Sequence, residues 1–380
     1  MTYPCVFQSE GSLRWLGEPD AVLSAQSLSE LHELRANIEC ALANEYCFVA
    51  GILPYEVGAA LHGLPCPPFT AWAYLYKDAP CQHNPNPDGA LVSTPTGAEK
   101  FALESAFKPE QTQQAYLASL SRIQAYLRAG DCYQVNLAQR FSARFSGSTL
   151  SAWLGLQQAH PAPHSCYFQT DDGNSVFGVS PERFLSIRNR QVVTEPIKGS
   201  RPRGSNPEED GRLAAELRAN PKDLAENLMI VDLLRNDLGL SCKSGSIQAS
   251  PLFELRQFSN VQHLVSTITG TLKADITPLE ALFRAFPGGS ITGAPKQRAM
   301  EIIAELEPVA RGAYCGSFFW MDDQENLDSN ILIRTMQTDG DRIYCHGGGG
   351  IVFDSAPLAE YEESLFKVEK LMRALEERFL

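Results

Sequence analysis

Phe184-Leu-Ser-Ile-Arg-Asn-Arg-Gln-Val-Val-Thr194-Glu-Pro-Ile-Lys198-Gly-Ser-Arg-Pro-Arg203 is the stretch from which the fold can be read. Two short runs, 184–188 and 191–194, are rich in residues that suit a pleated, half-buried surface and flank Asn189-Arg190, which predicts a β-hairpin. Pro196 ends the strand-like pattern, and a single lysine, Lys198, follows against a glycine, a hydroxyl and two arginines. A lysine held between a rigid X-Pro and a permissive glycine in a cationic setting can have its pKa lowered and act as a nucleophile. The same lysine could equally be solvated or bind an anion.

Outward from the hairpin, strands are predicted over 48–53, 133–142, 176–179, 331–337 and 343–346. Helices are predicted over 28–43, 111–129, 223–234, 278–285, 295–305 and 358–377, the second with Tyr116, Leu120, Ile123 and Leu127 on one stripe and Gly130 as its stop. Strands come in hairpins rather than in strict βαβ alternation, so the fold class is α+β with antiparallel sheets. Residues 80–97, which contain Asn-Pro-Asn-Pro-Asp-Gly, read as a linker after an N-terminal part.

The chain has 380 residues, is 44% hydrophobic and carries a net charge of −13. It can bury a large core. Its charge argues against nucleic acid or a membrane surface as partner, which leaves the arginines and lysines near Lys198 to serve one small anion. No run of 18 apolar residues and no secretory h-region are present. Ten cysteines without C-x-x-C or zinc-like spacing read as reduced, buried thiols in a cytoplasm.

Two helices are acidic. Asn220-Pro221 caps the first, with Asp223 and Glu226 on one side and Leu224, Leu228 and Val231 as an apolar stripe. Asp354-Ser355 reads as the cap of the second, which carries Glu360, Glu363 and Lys367 on one face. Carboxylates from both could meet around a divalent ion, and an oxygen-only set suits Mg2+. Glu363–Lys367 also reads as an ordinary surface pair. Pro287-Gly-Gly-Ser-Ile-Thr-Gly-Ala-Pro-Lys296 offers backbone amides to an anion ahead of a helix, but Ala-Pro stands where a nucleotide-binding loop has Lys-Ser/Thr. Gly347 to Gly350 reads as a close backbone approach or a tight turn. Glu182 is a candidate general acid or base, or the partner of an arginine. His263 is a catalyst or a satisfied core histidine.

Together these segments resemble the chorismate-utilising enzymes, a family that includes component I of anthranilate synthase and of aminodeoxychorismate synthase, and the isochorismate and salicylate synthases. The resemblance runs from about 101 to 370, with an N-terminal echo at Gly51-Ile-Leu-Pro-Tyr-Glu56. It is carried by Gly130-Asp-Cys-Tyr-Gln-Val-Asn-Leu137, Ser180-Pro-Glu-Arg-Phe184, Pro196-Ile-Lys-Gly-Ser-Arg-Pro-Arg-Gly204, Ala225-Glu-Asn-Leu-Met-Ile-Val-Asp-Leu-Leu-Arg-Asn-Asp237, Gly289-Ser-Ile-Thr-Gly-Ala-Pro-Lys296, Ile333-Arg-Thr335 and Gly348-Gly-Gly-Ile-Val-Phe-Asp-Ser355. Relatives that add water to the ring have a lysine where this chain has Gln134, and anthranilate synthases read Pro-Ile-Ala-Gly where it has Lys198. The resemblance therefore points to the aminodeoxychorismate synthase component I branch, with anthranilate synthase component I as the alternative.

That resemblance implies two facing antiparallel sheets with helices outside, an N-terminal part over 1–90 packed on the core, and a catalytic domain over 98–380. It implies that chorismate is aminated at C4 with ammonia to 4-amino-4-deoxychorismate, a precursor of 4-aminobenzoate and folate. Lys198 would be the covalent nucleophile and Glu182 the acid. Mg2+ would be held by Glu226 and Glu363, with Asp223 and Glu360 acting through water. Arg334, Lys367, Gly349 and Gly350 would bind carboxylate, and His263, Ser290, Tyr314 and Gln134 would line the pocket. The implied partners are a glutamine amidotransferase, component II, and a separate downstream lyase, with no nucleic acid and no membrane. A hydroxyl at Ser200 keeps the family's usual Thr chemistry, Asp223 is shorter than the common Glu, and Phe319-Trp320 replaces a frequent Gly-Tyr, so a changed pocket wall is expected there. The short N-terminal part implies no tryptophan feedback.

Overall fold

The computed structural model describes residues 3–82, 100–257 and 261–380. The predicted linker lies, from residue 83 onward, outside the described residues, as does the boundary between 1–90 and 98–380.

Period-two alternation decides the architecture. In the strand Phe48–Leu53, Phe48, Ala50 and Ile52 share one core with Phe7 and Phe168, while Val49 and Leu53 belong to another. The strand Ser317–Asp322 does the same, with Phe318 and Trp320 on one side and Phe319 and Met321 on the other. From the opposite sheet, Cys5 and Phe7 turn to the shared core and Val6 away from it, as Cys166 and Phe168 do against Tyr167. Every inward side chain in this group is 9% exposed or less, and burial of each large one contributes about 1.5–3 kcal/mol. Two sheets thus face each other across an aromatic layer in which Trp320 stands 5.5 Å from Phe48 and 5.9 Å from Phe7. Phe319 and Trp320 are both buried, one in each of the two cores that their strand separates.

Among the described residues, the first sheet runs Gly293–Ala294, Gln134–Ser146, Arg342–Ile351, Thr335–Asp339, Ser175–Ser180, His164–Gln169, Cys5–Ser9, Ser12–Leu16. The second runs Gln248–Ala249, Ile268–Thr271, Gln191–Thr194, Arg183–Arg188, Leu327–Asn330, Ser317–Asp322, Phe48–Leu53, Ala71–Tyr76, Ala21–Ala25. A small third sheet, Ile197–Pro202, Val261–Val265, Glu254–Gln257, carries Lys198. The pairings within all three are antiparallel, and residues from Cys5 to Tyr76 supply strands to both large sheets.

Helices cover the outer faces. Leu28–Asn44 buries Leu31, Leu34, Ile38 and Leu42, and Gln113–Ala129 buries the predicted stripe and stops at Gly130 with φ 79°. Pro357–Phe379 lies on the strand Arg342–Ile351, where a Cβ on Gly347 would collide with the Ser364 carbonyl oxygen. The glycine run is therefore the middle of a strand that must lie close to a helix, and the tight-turn alternative does not hold. The predicted strand over 331–337 is split: 331–334 carry the chain from one large sheet to the other, and Arg334 has φ 52°. Leu228, placed on the apolar stripe, is 52% exposed, and the helix Pro221–Gly239 instead buries Asn227, Ile230, Val231, Leu234 and Leu238. The ten cysteines are free, but Cys40 and Cys81 are exposed rather than buried. Among the described residues no helix is long and apolar enough to cross a membrane.

Candidate active site

The site forms where the chain twice crosses between the large sheets. One crossing joins Ser175–Ser180 to Arg183–Arg188, and the other joins Leu327–Asn330 to Thr335–Asp339. They run side by side: Ser180 Oγ donates to the Ile331 carbonyl at 2.6 Å, and Ile331 N donates to the Glu182 carbonyl at 3.1 Å. Glu182 and Arg334 are thereby held on neighbouring segments that belong to neither sheet.

Ser290, in the short turn Gly289–Ile291, joins the two principal candidates. Its Oγ donates to Glu182 Oε1 at 2.7 Å, and its carbonyl accepts from Lys198 Nζ at 3.4 Å. Burial pushes the Glu182 carboxyl up, against the opposing pull of the Ser290 hydrogen bond and the Lys198 charge. Burial pulls the Lys198 amine down, opposed by Glu182, and Lys367 adds to the lowering. Both shifts favour the neutral form, an amine with a free lone pair beside a carboxyl that keeps its proton. The Lys198 side chain retains partial exposure.

A second group gathers at the N-terminal ends of the two acidic helices. Asn220 Oδ1 accepts from Lys222 N and Asp223 N at 3.0 and 3.1 Å, as predicted for its cap. The other helix is different: its cap is Ala356, and Ser355 Oγ instead donates to Glu360 Oε1 at 2.6 Å and fixes that carboxylate. Lys222 Nζ lies 3.8 Å from Glu226 Oε1 and 3.7 Å from Glu360 Oε1. Lys367 Nζ is 2.7 Å from Glu363 Oε1 and donates to the Gly348 carbonyl at 3.0 Å. Around Gly349, the place a Cβ would occupy is 3.4 Å from Glu363 Oε1 and from Lys367 Nζ, and 3.5 Å from Glu360 Oε2. Burial raises the Glu226 carboxyl. Burial also works to raise Glu363, but Lys367, together with Lys222 and Lys198, holds that carboxyl below its usual range. Asp223 is drawn aside to Arg201 at 3.4 Å, and burial raises its pKa.

Gln134 is fully buried, and neither its amide oxygen nor its amide nitrogen has a hydrogen-bond partner among the described residues. A Cβ on Gly350 would stand 3.0 Å from that amide, so Gly350 leaves room for it. Arg334 forms no ion pair with a described residue, and burial lowers its pKa. His263 Nδ1 is 2.6 Å from Ser200 Oγ, and burial first, then Arg334, pull the ring down to about 4. Tyr314 is buried, stacks on His346 at 5.0 Å and lies under the Arg311 guanidinium at 5.7 Å.

The donor set can be tested against Mg2+. Among the described residues no three His, Cys, Asp or Glu side chains gather closely enough to hold a metal by themselves. The oxygens of Glu226, Glu360 and Glu363 nevertheless converge from two helices, and one ammonium already satisfies two of them. Such an all-oxygen set fits a hard dication that keeps water and shares a ligand with an anionic substrate. Sequence reading gave no role here to Lys222 or Arg201, and a different one to Ser355. The i, i+4 spacing of Lys222 and Glu226 was the available signal for the first.

A family model described as chorismate binding enzyme matches residues 5–373. The chain is 48% identical over 279 residues to aminodeoxychorismate synthase component 1 of Klebsiella aerogenes, an alignment that covers 73% of this chain and 62% of that protein. It is 39% identical over 293 residues to anthranilate synthase component 1 of Geobacillus stearothermophilus, covering 77% and 58%. The chain thus spans about six-tenths of the length of these relatives. Its fold is similar to anthranilate synthase component I of Streptococcus pneumoniae TIGR4, with a TM-score of 0.76 at 26% identity over 98% of this chain and 91% of that one. The menaquinone-specific isochorismate synthase of Escherichia coli has the same fold, with a TM-score of 0.76 at 19% identity over 99% and 89%. The chain belongs to the chorismate-binding enzyme family.

Proposed function

We propose that this chain aminates chorismate at C4 with ammonia, giving 4-amino-4-deoxychorismate for 4-aminobenzoate and folate synthesis. The observation that carries the reading is the pair Lys198 and Glu182, held on the two ends of Ser290 with pKa shifts that favour a neutral amine and a protonated acid. The neutral amine of Lys198 attacks C2, both double bonds of the ring diene shift toward C4, and the C4 hydroxyl leaves as water with the proton of Glu182. Ammonia then attacks C4, both double bonds return, Lys198 leaves C2 as the neutral amine, and the new C4 ammonium gives a proton back to Glu182. Two displacements with allylic shift place the amine at C4.

Arg334, Lys367 and the amides of Gly349 and Gly350 bind the substrate's carboxylates, and the unpartnered amide of Gln134 faces the ring or its nucleophile. Glu226 and Glu363 would hold Mg2+, with Asp223 and Glu360 acting through water. Bound there, the ion would draw electron density toward the ring carboxylate. Ammonia would come from a glutamine amidotransferase partner, and a separate lyase would act on the product. The proposed setting is cytoplasmic, supported by ten cysteines without a disulfide.

The likeness to anthranilate synthase component 1 supports a second reading, amination at C2 with loss of pyruvate. Incubation of the chain with chorismate, Mg2+ and an ammonium salt, followed by chromatography and mass spectrometry, separates the two. A 4-aminobenzoate signal that depends on added lyase is expected. Anthranilate formed without lyase would replace the first reading with the second.

A further inference from the structure

The hairpin at the centre of the sequence has a closed and an open end. The closed end is Asn189-Arg190, both with positive φ, 48° and 62°. At the open end, Glu182 immediately precedes one strand and Lys198 stands four residues beyond the other. The backbone ladder between the two strands runs only from Ser186 opposite Val193 to Arg188 opposite Gln191. On the other side, the pairing of Arg183–Arg188 with Leu327–Asn330 slips register between Arg183 and Ser186. The ladder within the hairpin therefore stops short of the end that carries the chemistry.

A side-chain bridge crosses that open end instead. Arg183 Nη1 donates to Glu195 Oε2 at 2.7 Å. Arg183 also holds Asp328 through Nε and Nη2, at 3.2 and 3.4 Å. The other oxygen of Glu195 takes Arg256 Nη1 at 2.7 Å, and Arg256 Nε binds Glu254 at 2.8 Å. Five charges of alternating sign thus run from the second large sheet to the small sheet that carries Lys198. The Arg183 and Glu195 side chains are only 27% and 16% exposed, so solvent screens their bond less than it would a surface pair.

We propose that Arg183 and Glu195 are a positioning pair that sets the separation of Glu182 and Lys198. Neither touches the reacting atoms. Arg183 is joined by one peptide bond to Glu182, and Glu195 leads through Pro196 to Lys198, so the bridge fixes both anchor points. Misplacement of reacting groups by about 1 Å costs on the order of 10²-fold in rate. The proposal rests on the amination reading for its rate effect, but its geometric content does not.

The test compares the full chain with Glu195→Gln, Arg183→Met and the double variant. Two readouts are taken: kcat and KM with chorismate and an ammonium salt, and the pH dependence of Lys198 acetylation by acetic anhydride, followed by peptide mass spectrometry. The expected result is a fall in kcat of about 10–100-fold, KM within about threefold, and a double variant no worse than the worse single one. The labelling pKa of Lys198 should rise toward that of an ordinary lysine as its strand loosens. Unchanged kcat, a change confined to KM, losses that multiply, or a labelling curve that superimposes on wild type would overturn the proposal. If Arg183→Met does not fold, the nearly isosteric Glu195→Gln decides. Wild-type protein that labels as expected but does not aminate chorismate would sink the proposed function and leave the positioning pair standing.

Discussion

Glu226 and Glu360, on separate helices, share one ammonium: Lys222 Nζ lies 3.8 Å from the first and 3.7 Å from the second. The lysine occupies the position between carboxylates that a divalent ion would claim. Its side chain is 53% exposed, so the attraction is screened and the lysine can leave. Lys222→Gln should therefore tighten Mn2+ binding, used in place of Mg2+ and followed by calorimetry, by about three- to tenfold. Equal affinities would show that the lysine does not compete for the site.

The two neutral-favouring shifts at Ser290 set a pH dependence with a definite sign. Glu182 has a folded pKa above its unfolded value, so it contributes most at acid pH, and stability falls as pH rises from the unfolded pKa, about 4.3, through the folded one. Lys198 has a folded pKa below its unfolded value, about 10.4, so stability falls as pH drops from there through the folded pKa. At neutral pH both groups therefore cost stability. Glu182→Gln should raise the melting temperature at pH 7 by about 1–3 °C while it lowers kcat by about 10²–10⁴-fold. A lower melting temperature would mean that the carboxyl is stabilising as placed.

Ser290→Ala removes the hydrogen bond that pulls the Glu182 pKa down. With Glu182 as the acid proposed above, the alkaline limb of the kcat–pH profile should then move to higher pH. A limb that stays in place would assign it to another group.

Adjacent glycines should respond in opposite ways. A Cβ on Gly348 would meet the Leu137 carbonyl oxygen at 2.5 Å and Ala138 Cα at 2.8 Å, both backbone, so Gly348→Ala must push its strand away from the neighbouring one. A Cβ on Gly349 meets only side-chain ends, at 3.4 Å or more. Gly349→Ala should therefore fold with a melting temperature within about 2 °C of wild type and, if the carboxylate site proposed above is right, raise the KM for chorismate about tenfold. Gly348→Ala should lose about 1–3 kcal/mol in denaturant unfolding.

Arg311 is 1% exposed and holds Glu307 with two hydrogen bonds, at 2.8 and 2.6 Å. It also donates to the Ile291 and Asn136 carbonyls at 3.0 and 2.8 Å, beside Ser290 and near Gln134. Arg311→Met leaves the Glu307 carboxylate buried without its partner and should cost about 3–5 kcal/mol. Pairing it with Glu307→Gln should recover much of that loss in the same unfolding assay.

Much of the site was legible in one dimension because chemistry is written in short segments. The Asn220 cap, the stripe from Tyr116 to Leu127, the hairpin about Asn189-Arg190 and the grouping of Lys198 with Gly, Ser and Arg depend on neighbours a few residues away, and local sterics and periodicity reveal them. The Ser355 cap was misread for the same reason. Its pattern is that of a helix start, but the Glu360 carboxylate five residues along, an equally local partner, takes the hydroxyl instead of a backbone amide of the first turn.

The residue types, the alternation that makes two facing sheets and the membership of the family need nothing beyond the order of amino acids. Which distant residues meet is settled only in three dimensions. Residues 331–334 have a strand's composition, yet they leave both sheets because the chain must cross between them, and that crossing puts Arg334 at φ 52° beside the Glu182 segment. Ser290 comes to Glu182 across 108 positions, and Lys222 to Glu360 across 138. No periodicity encodes such meetings. They follow from the packing of sheets and helices around shared cores, which brings segments together according to the shape of the whole and not the order of the chain.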